Sequence, residues 1–532
     1  MSESPANLLS TSLSLGKRYP RLSMTALGAA AAFGYPPFGL WPISLIALAA
    51  MIAMLRQARS GRDAAIMGWL FGWAHLSIAN NWIATAFTFQ SEMPHFLGWF
   101  AVPLLCIYLA LYPAFAAYLT HRFASKAGIL GFGLMFAGSW IVTEWLRSWV
   151  FTGYPWPPIG LIALGDWDTP GLAFLLPWLG TYALSGLVML IAVLLCWAVV
   201  KRSWLKGGTI AAAVILAMVL PSPAQEEGDL HYTLVQPLLW QSEIHDPSKY
   251  EEQFSRLAGL TVPTSLSRRL VLWPESAIPD YLRDGYPQRY YSRTTAAADP
   301  EFARTRLGNL IGEQSILLTG TTELEIDEVL GRRQATGAHN VVSAIDGQGN
   351  LRASYSKAHL VPYGEYLALR WLLEPLGASR LVAGSIDYIP GPGPRTLNLG
   401  EWGNAGIQIC YEIIFSGQVV DQSNRPNYIF NPSNDGWFGA WGPPQHLGQA
   451  RLRAIEEGLP VLRSTTTGIS AIVDANGIVR QHIASGKADR LEGLIPPASS
   501  PTLFSRLGNA LPLGWALALI LASLVAMRRG KA

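Results

Sequence analysis

The chain has 532 residues, of which 50% are hydrophobic and only 14% charged, with a mean hydropathy of +0.24 and a formal net charge of +3. This composition excludes an ordinary soluble enzyme and points to an integral membrane protein. No Lys/Arg block is dense enough for a nucleic-acid partner.

Residues 1–220 hold 12 Lys/Arg and 6 Asp/Glu, set between apolar stretches near 22–40, 41–55, 64–88, 96–120, 129–147, 171–200 and 207–220, and an eighth stretch occupies 507–527. Several reach the about 17–25 residues that a spanning helix needs, while 41–55 and 207–220 are shorter. If the N-terminus is cytoplasmic, the inward connections carry Lys17, Arg18 and Arg21, then Arg56, Arg59 and Arg62, then Arg122 and Lys126, then Lys201, Arg202 and Lys206, and finally Arg528, Arg529 and Lys531. Every basic residue of the first 220 except Arg147 then faces inward, as the positive-inside rule requires. The pattern predicts a polytopic α-helical membrane protein of about eight spans with both termini inside. Residues 1–220 form a seven-span domain, and 507–532 form a last helix with a short basic tail. The long polar segment 221–506 is placed outside the cytoplasm, in the periplasm if the source is a bacterium. A cleaved signal peptide over residues 1–40 is the rival reading, but "ALGAAAAFGYPPFGLWP" leads straight into further spans. Glu144 and Arg147 in "VTEWLRSW" are ionisable groups near a membrane segment at i,i+3 spacing, expected to form a local salt bridge at the outer end of a helix.

"PSPAQEEG" (221–228) reads as a linker, because Pro, Ser and charge replace the apolar run. Short β-rich runs follow at 231–237, 269–275, 315–320, 339–346, 404–410, 427–433 and 468–474, with helix-compatible stretches at 249–260, 297–314 and 446–458. "DGQGN" (346–350) and "DANG" (474–477) are predicted hairpin turns, since Asp, Asn and Gly tolerate positive φ. The mixture predicts an α/β sandwich large enough to bury its own core.

Of the three cysteines, Cys106 and Cys196 lie in apolar runs, whereas Cys410 lies in "GIQICYEIIF" in the polar block. A lone cysteine is often a small core residue. Cys410, however, has no disulfide partner in an oxidising compartment, ends a strand run and is followed by Tyr411 and Glu412. Alternation along the strand would put Ile407 and Ile409 on one face and the thiol on the other. In "LWPESAIPD", Glu275 is held between Pro274 and Pro279, which restrict the backbone and would pin a general base at a strand end. "YSKAHLVPYGEY" brings Lys357, His359 and Glu365, with His359 expected to be structural. One acid, one cation and one thiol suffice for acyl transfer: a base takes the thiol proton and a cation stabilises the anionic intermediate. "SNDGWFGAWGPPQH" (433–446) combines glycines with Trp437, Phe438 and Trp441, as a mobile aromatic gate would.

"WPESAIP", "KAHLVPYGEY", "CYEIIF" and "SNDGWFG", in this order and flanked by apolar spans, closely resemble the apolipoprotein N-acyltransferase family, inner-membrane enzymes that finish bacterial lipoproteins. The resemblance implies an exported nitrilase-like domain with an α-β-β-α sandwich. It implies Glu275 as general base, Lys357 as transition-state stabiliser and Cys410 as nucleophile, with Glu365, Tyr411, Glu412, Trp437 and Trp240 in support. It further implies a phospholipid acyl donor and diacylglyceryl apolipoproteins as acceptors. Two departures stand out: "VQPLLWQSEIHDP" lacks the usual Asn/Asp-Ile-Pro-Gln after Val-Gln, and Thr466 and Thr467 stand where relatives commonly have asparagines. No metal-ligand spacing or nucleotide fingerprint appears, so no metal or cofactor is implied. A membrane-tethered nitrilase-type amidase would need one anchor rather than eight spans. A transporter with an exported binding domain would leave Glu275, Lys357 and Cys410 without a use.

Overall fold

The structure is a computed structural model and describes residues 18–89, 95–222, 227–263, 268–373, 375 and 386–529; part of the expected linker (223–226) and of the basic tail (530–532) lies outside them. The chain divides into two compact units, one formed by Met1–Ala84, Phe96–Pro221 and Leu507–Ala532, the other by Thr85–His95 and Ser222–Arg506.

All eight apolar stretches fall on helices, and among the described residues four segments are long and apolar enough to cross a membrane: Leu97–Ala124, Ile129–Arg147, Leu172–Val200 and Ala510–Arg529. Trp41–Leu55 and Trp204–Val219 are shorter apolar helices. Stretch 22–40 is helical only over Pro20–Ala31, and 64–88 mainly over Gly61–Ala79. Small residues let these helices approach closely, as is usual where lipid offers no hydrophobic drive for association. A Cβ on Gly68 would meet Ala117 and the Pro113 carbonyl at 2.8 Å, and one on Gly138 would meet Ile520 at 2.7 Å. Leu517, Leu521 and Val525 leave an apolar flank exposed on the last helix, the kind of surface that lipid covers.

Glu144 and Arg147 form the expected local pair at the end of helix Ile129–Arg147. Both are buried, their charged atoms lie 3.8 Å apart, and they staple a loop. Arg147 donates to the Trp156 and Pro157 carbonyls at 2.9 and 3.0 Å, and Glu144 Oε1 accepts from Ile159 N at 2.9 Å. The two charged side chains thereby bind the Trp156 and Pro157 carbonyls and the Ile159 amide.

Among the described residues the second unit has twelve strands: β1 His231–Gln236, β2 Arg269–Leu272, β3 Ser315–Val329, β4 Arg332–Asp346, β5 Leu351–Ser356, β6 Thr396–Asn398, β7 Asn404–Ile407, β8 Tyr428–Ser433, β9 Val461–Thr465, β10 Ser470–Val473, β11 Val479–Ile483 and β12 Asp489–Leu494. They form two six-stranded sheets, β12-β1-β2-β3-β4-β5 and β11-β10-β9-β8-β7-β6. The inner strands β1, β2 and β3 run parallel, as do β7, β8 and β9, and the flanking strands are antiparallel.

Parallel strands buried on both faces read as unbroken apolar runs. Successive side chains of such runs point to opposite layers. Leu270, Leu272, Ile316 and Leu318 meet Ile407, Phe430 and Leu462 of the other sheet in the central core. Val271 and Leu317 point outward, onto Leu257 of helix Tyr250–Thr261 and Leu307 of helix Pro300–Ile311. Helix Gly442–Glu457 packs on β9 and β10 of the second sheet. The result is an α-β-β-α sandwich. Both expected hairpin turns join strands, at 346–350 between β4 and β5 and at 474–477 between β10 and β11. The expected strand ending at Cys410 is shorter: β7 stops at Ile407, and Cys410 opens a 3-10 turn, Cys410–Ile414.

Candidate active site

Glu275 follows β2 in a loop that β3 holds at close range. Gly320 N donates to the Pro274 carbonyl and Ala277 N to the Gly320 carbonyl, both at 3.1 Å. A Cβ on Gly320 would lie 2.6 Å from Glu275 Cα, so only glycine permits this approach. Lys357 comes directly after β5 and is 1% exposed. Its Nζ lies 3.0 Å from Glu365 Oε1 and 3.4 Å from Glu275 Oε1. Asn340 of β4 donates through its single amide nitrogen to the same two oxygens, at 2.7 Å to Glu275 and 2.9 Å to Glu365. Asn434 N closes the other side of Glu275 at 2.8 Å, and Val361 N the other side of Glu365 at 2.8 Å.

Burial alone would lower the Lys357 ammonium, but Glu365, then Glu275 and Cys410, hold it above the ordinary lysine value. It stays charged inside the protein because two carboxylates face it.

Cys410 is buried with φ of +50°, a left-handed conformation that costs a non-glycine residue about 1–3 kcal/mol. The expected alternation does not hold, because Cys410 shares the central core with Ile407 and Ile409. The strand has ended, and the positive φ turns the backbone before the thiol. Burial, then the Glu275 carboxylate, push the thiol well above its ordinary value, with Lys357 pulling the other way. At neutral pH the side chain is therefore a thiol, with the Lys357 ammonium and Glu275 beside it.

Glu412 braces this turn. Its Oε2 accepts from Ile409 N at 2.7 Å, and its Oε1 accepts from Tyr355 Oη and Ala358 N at 2.8 Å and His359 N at 3.2 Å, tying the Cys410 turn to the segment after Lys357. Burial raises its carboxyl to about 7 in spite of the Ile409 and Ala358 donors. Tyr411 is buried edge-on to Phe415, on which His359 stacks at 4.2 Å, a packing role for this histidine. Trp437 is partly exposed and meets Phe89 edge-on at 5.8 Å. Trp240 stands apart from this cluster at 48% exposure, although the adjacent Gln241 accepts from Asn434 Nδ2 at 2.7 Å. Thr466 donates to Asn434 Oδ1 at 2.8 Å, so the threonine supplies a hydrogen bond to the loop beside Glu275.

Glu275, Lys357, Glu365, Cys410 and Glu412 are thus brought together from three segments, the loop after β2, the segment after β5 and the turn after β7. Sequence reasoning missed Asn340, Asn434 and Gln241; an asparagine at the mouth of an apolar strand, where β propensity disfavours it, was the one available signal. Among the described residues no group of three or more His, Cys, Asp or Glu side chains is arranged to hold a metal ion.

Comparison with known proteins supplies the family. A family model described as the apolipoprotein N-acyltransferase N-terminal domain matches residues 27–194, and one described as carbon-nitrogen hydrolase matches residues 255–488. The chain is 30% identical over 529 residues to the apolipoprotein N-acyltransferase of Rhodopseudomonas palustris, covering 94% of each chain. It is 30% identical over 541 residues to the protein of that name from Bradyrhizobium diazoefficiens, covering 97% of this chain and 96% of the relative. Among solved structures, a Nesterenkonia amidase of the nitrilase superfamily aligns with 52% of this chain and 94% of its own at 17% identity, with a TM-score of 0.34.

Proposed function

We propose that this chain, which belongs to the apolipoprotein N-acyltransferase family, transfers an acyl chain from a phospholipid to the α-amino group of the diacylglyceryl-cysteine at a lipoprotein N-terminus. The observation that carries the chemistry is the meeting of one thiol, one ammonium and two carboxylates in a buried cluster. A thiol held protonated by its surroundings attacks only if its proton leaves as the C–S bond forms, and Glu275 is the base in place to take it.

Cys410 Sγ attacks the ester carbonyl of the phospholipid while its proton passes to Glu275. The tetrahedral oxyanion is stabilised by the Lys357 ammonium. The ester C–O bond breaks, Glu275 returns the proton to the departing lysophospholipid oxygen, and a thioester remains on Cys410. The lipoprotein amine then attacks this thioester, Glu275 takes the amine proton, the C–S bond breaks, and Glu275 passes that proton to the departing Cys410 thiolate. Glu365 keeps Lys357 charged, and Glu412 with Tyr411 fixes the turn that carries the nucleophile. Burial matters for yield, because a thioester open to water would be lost to hydrolysis. Trp437 and Trp240 are placed in this reading as substrate-contacting aromatics.

The same reading makes the protein a multi-pass protein of the bacterial inner membrane. It has seven spans in 1–220, a periplasmic nitrilase-like domain over 221–506, and an eighth span followed by a cytoplasmic tail over 507–532.

Intact mass of the purified protein after exposure to phospholipid tests the mechanism. One hydroxylamine-labile acyl mass on Cys410 is expected in the wild type, and none in Cys410→Ala or Glu275→Gln. A diacylglyceryl peptide with a free amine discharges it, and an N-acetylated one does not. Full-rate transfer by Cys410→Ala would show that the amine attacks the phospholipid directly and would overturn the thioester route.

A further inference from the structure

After Gln408, whose N–H still donates to the Phe430 carbonyl of β8, the chain leaves its sheet, and side chains hold several of its polar groups. The Gln408 carbonyl accepts from Asn431 Nδ2 at 2.6 Å, Ile409 N donates to Glu412 at 2.7 Å, and the Cys410 carbonyl lies 3.1 Å from His446 Nε2. His446 sits on helix Gly442–Glu457 and is fully buried, with Phe438 edge-on to its ring at 5.6 Å.

A carbonyl oxygen only accepts, so Nε2 carries the proton that joins His446 to Cys410. Behind the ring, Arg463 Nη2 lies 3.0 Å from His446 Nδ1 and donates to both oxygens of Asp435, at 2.8 and 2.7 Å, while Asp435 Oδ1 is itself 3.1 Å from Nδ1. Burial, then the Arg463 guanidinium, hold the imidazole below its ordinary value, with Asp435 and the Cys410 carbonyl pulling the other way, and the contacts of Arg463 and Asp435 at Nδ1 fix the orientation of the ring. Arg463 also donates to Asn431, the residue on the Gln408 carbonyl. One buried guanidinium thereby sets both side chains that grip the carbonyls on either side of the nucleophile.

The grip has a purpose: φ of Cys410 is left-handed and strained, and a bond to the Cys410 carbonyl fixes the next torsion, ψ, so that the turn carrying the thiol is held in one conformation. We propose that His446, set by Arg463 and Asp435, is a positioning residue whose Nε2–H holds the Cys410 carbonyl and so keeps the thiol in register with Glu275 and Lys357. The inference rests on the reading of Cys410 as the nucleophile.

The test exploits side-chain length. Glutamine can present an N–H where Nε2 stood, whereas asparagine reaches only the Nδ1 position. His446→Gln, His446→Asn and wild type are compared in single-turnover acylation, in alkylation of Cys410 by iodoacetamide and in thermal unfolding, all on the full chain in detergent. His446→Gln is expected to retain most of the wild-type rate. His446→Asn is expected to lose about 100-fold in acylation rate with donor KM unchanged, the scale of a reacting group misplaced by an ångström. Equal rates in the two variants, whether both fast or both slow, overturn the proposal. If the wild type forms no acyl adduct, the acyltransfer reading fails, and the glutamine-against-asparagine contrast in Cys410 alkylation still decides the clamp. Gly468→Ala covers the case in which both His446 variants unfold: its Cβ would lie 2.2 Å from Asp435 Oδ2 and displace the carboxylate without touching His446. Slowed acylation at unchanged KM supports the relay, and a wild-type rate overturns it.

Discussion

Replacing Asn340 by alanine removes a neutral side chain that, with Lys357, bridges the two carboxylates. Its amide nitrogen makes hydrogen bonds of 2.7 and 2.9 Å to Glu275 and Glu365. Bonds to ionised groups contribute about 1.5–3 kcal/mol each, so the loss is about 3–6 kcal/mol where no water enters. The lower figure corresponds to an unfolding midpoint on the order of 6–12 °C lower for a domain of this size. Glu275 would keep Asn434 N at 2.8 Å on one oxygen, but its other oxygen would face only Lys357 at 3.4 Å. A loosened general base costs about 100-fold in rate. Asn340→Asp separates the two effects: it keeps the shape but puts a third carboxylate beside one ammonium, so one of the three must hold a proton at neutral pH. Its acylation rate is expected below that of the alanine variant. Thermal unfolding in detergent, followed by single-turnover acylation read as intact mass, measures both quantities. An Asn340→Ala protein with the wild-type midpoint and rate would refute the reasoning, by showing that Lys357 alone suffices to order both carboxylates.

Because the Cys410 thiol is held above its ordinary value, its alkylation by iodoacetamide should be slow at pH 7 and should still be rising at pH 9; a plateau near neutral pH would mean a preformed thiolate. Glu412, about 7 in the fold against 4.5 unfolded, gives a stability contribution that is fully present below about pH 4.5 and lost as pH rises through 7. The wild-type midpoint should therefore fall relative to that of Glu412→Gln over this range, by about 3 kcal/mol in free energy, and parallel pH profiles would contradict the shift. Trp437→Ala removes the ring that meets Phe89 and should reduce acyl transfer with the unfolding midpoint unchanged; unchanged turnover rules the aromatic gate out. Alkaline phosphatase fused after Leu260 should be active, and activity only of a cytoplasmic reporter at that position would reverse the topology.

What was legible in the chain was local and repetitive. The runs at 231–237, 269–275 and 427–433 became β1, β2 and β8, because a strand covered on both faces needs an apolar residue at nearly every position. The two Asp/Gly turns were equally plain, since few residues tolerate their backbone angles. The long apolar helices announced themselves by length, and the segments that meet around Glu275, Lys357 and Cys410 stood out by their motifs. β6, β11 and β12 escaped because each sheds apolar residues near the margin of its sheet, as the exposed stretch Arg480–His482 of β11 shows. β9 escaped because Arg463 interrupts an otherwise buried strand.

Only the tertiary structure decided the rest. That Arg463 is buried at all depends on Asp435, 28 residues earlier in the chain, and that Glu275 is held depends on Asn340 and Asn434, 65 and 159 residues later. Hydrophobic periodicity is written into neighbouring residues, and so can be read along the chain. The partner of a buried polar group is chosen by the packing of distant strands, and becomes visible only when those strands meet. The left-handed turn at Cys410 belongs to the second kind: Glu412 lies two residues away, but Asn431 and His446, which grip the carbonyls on either side, come from a strand and a helix that no local pattern connects to it.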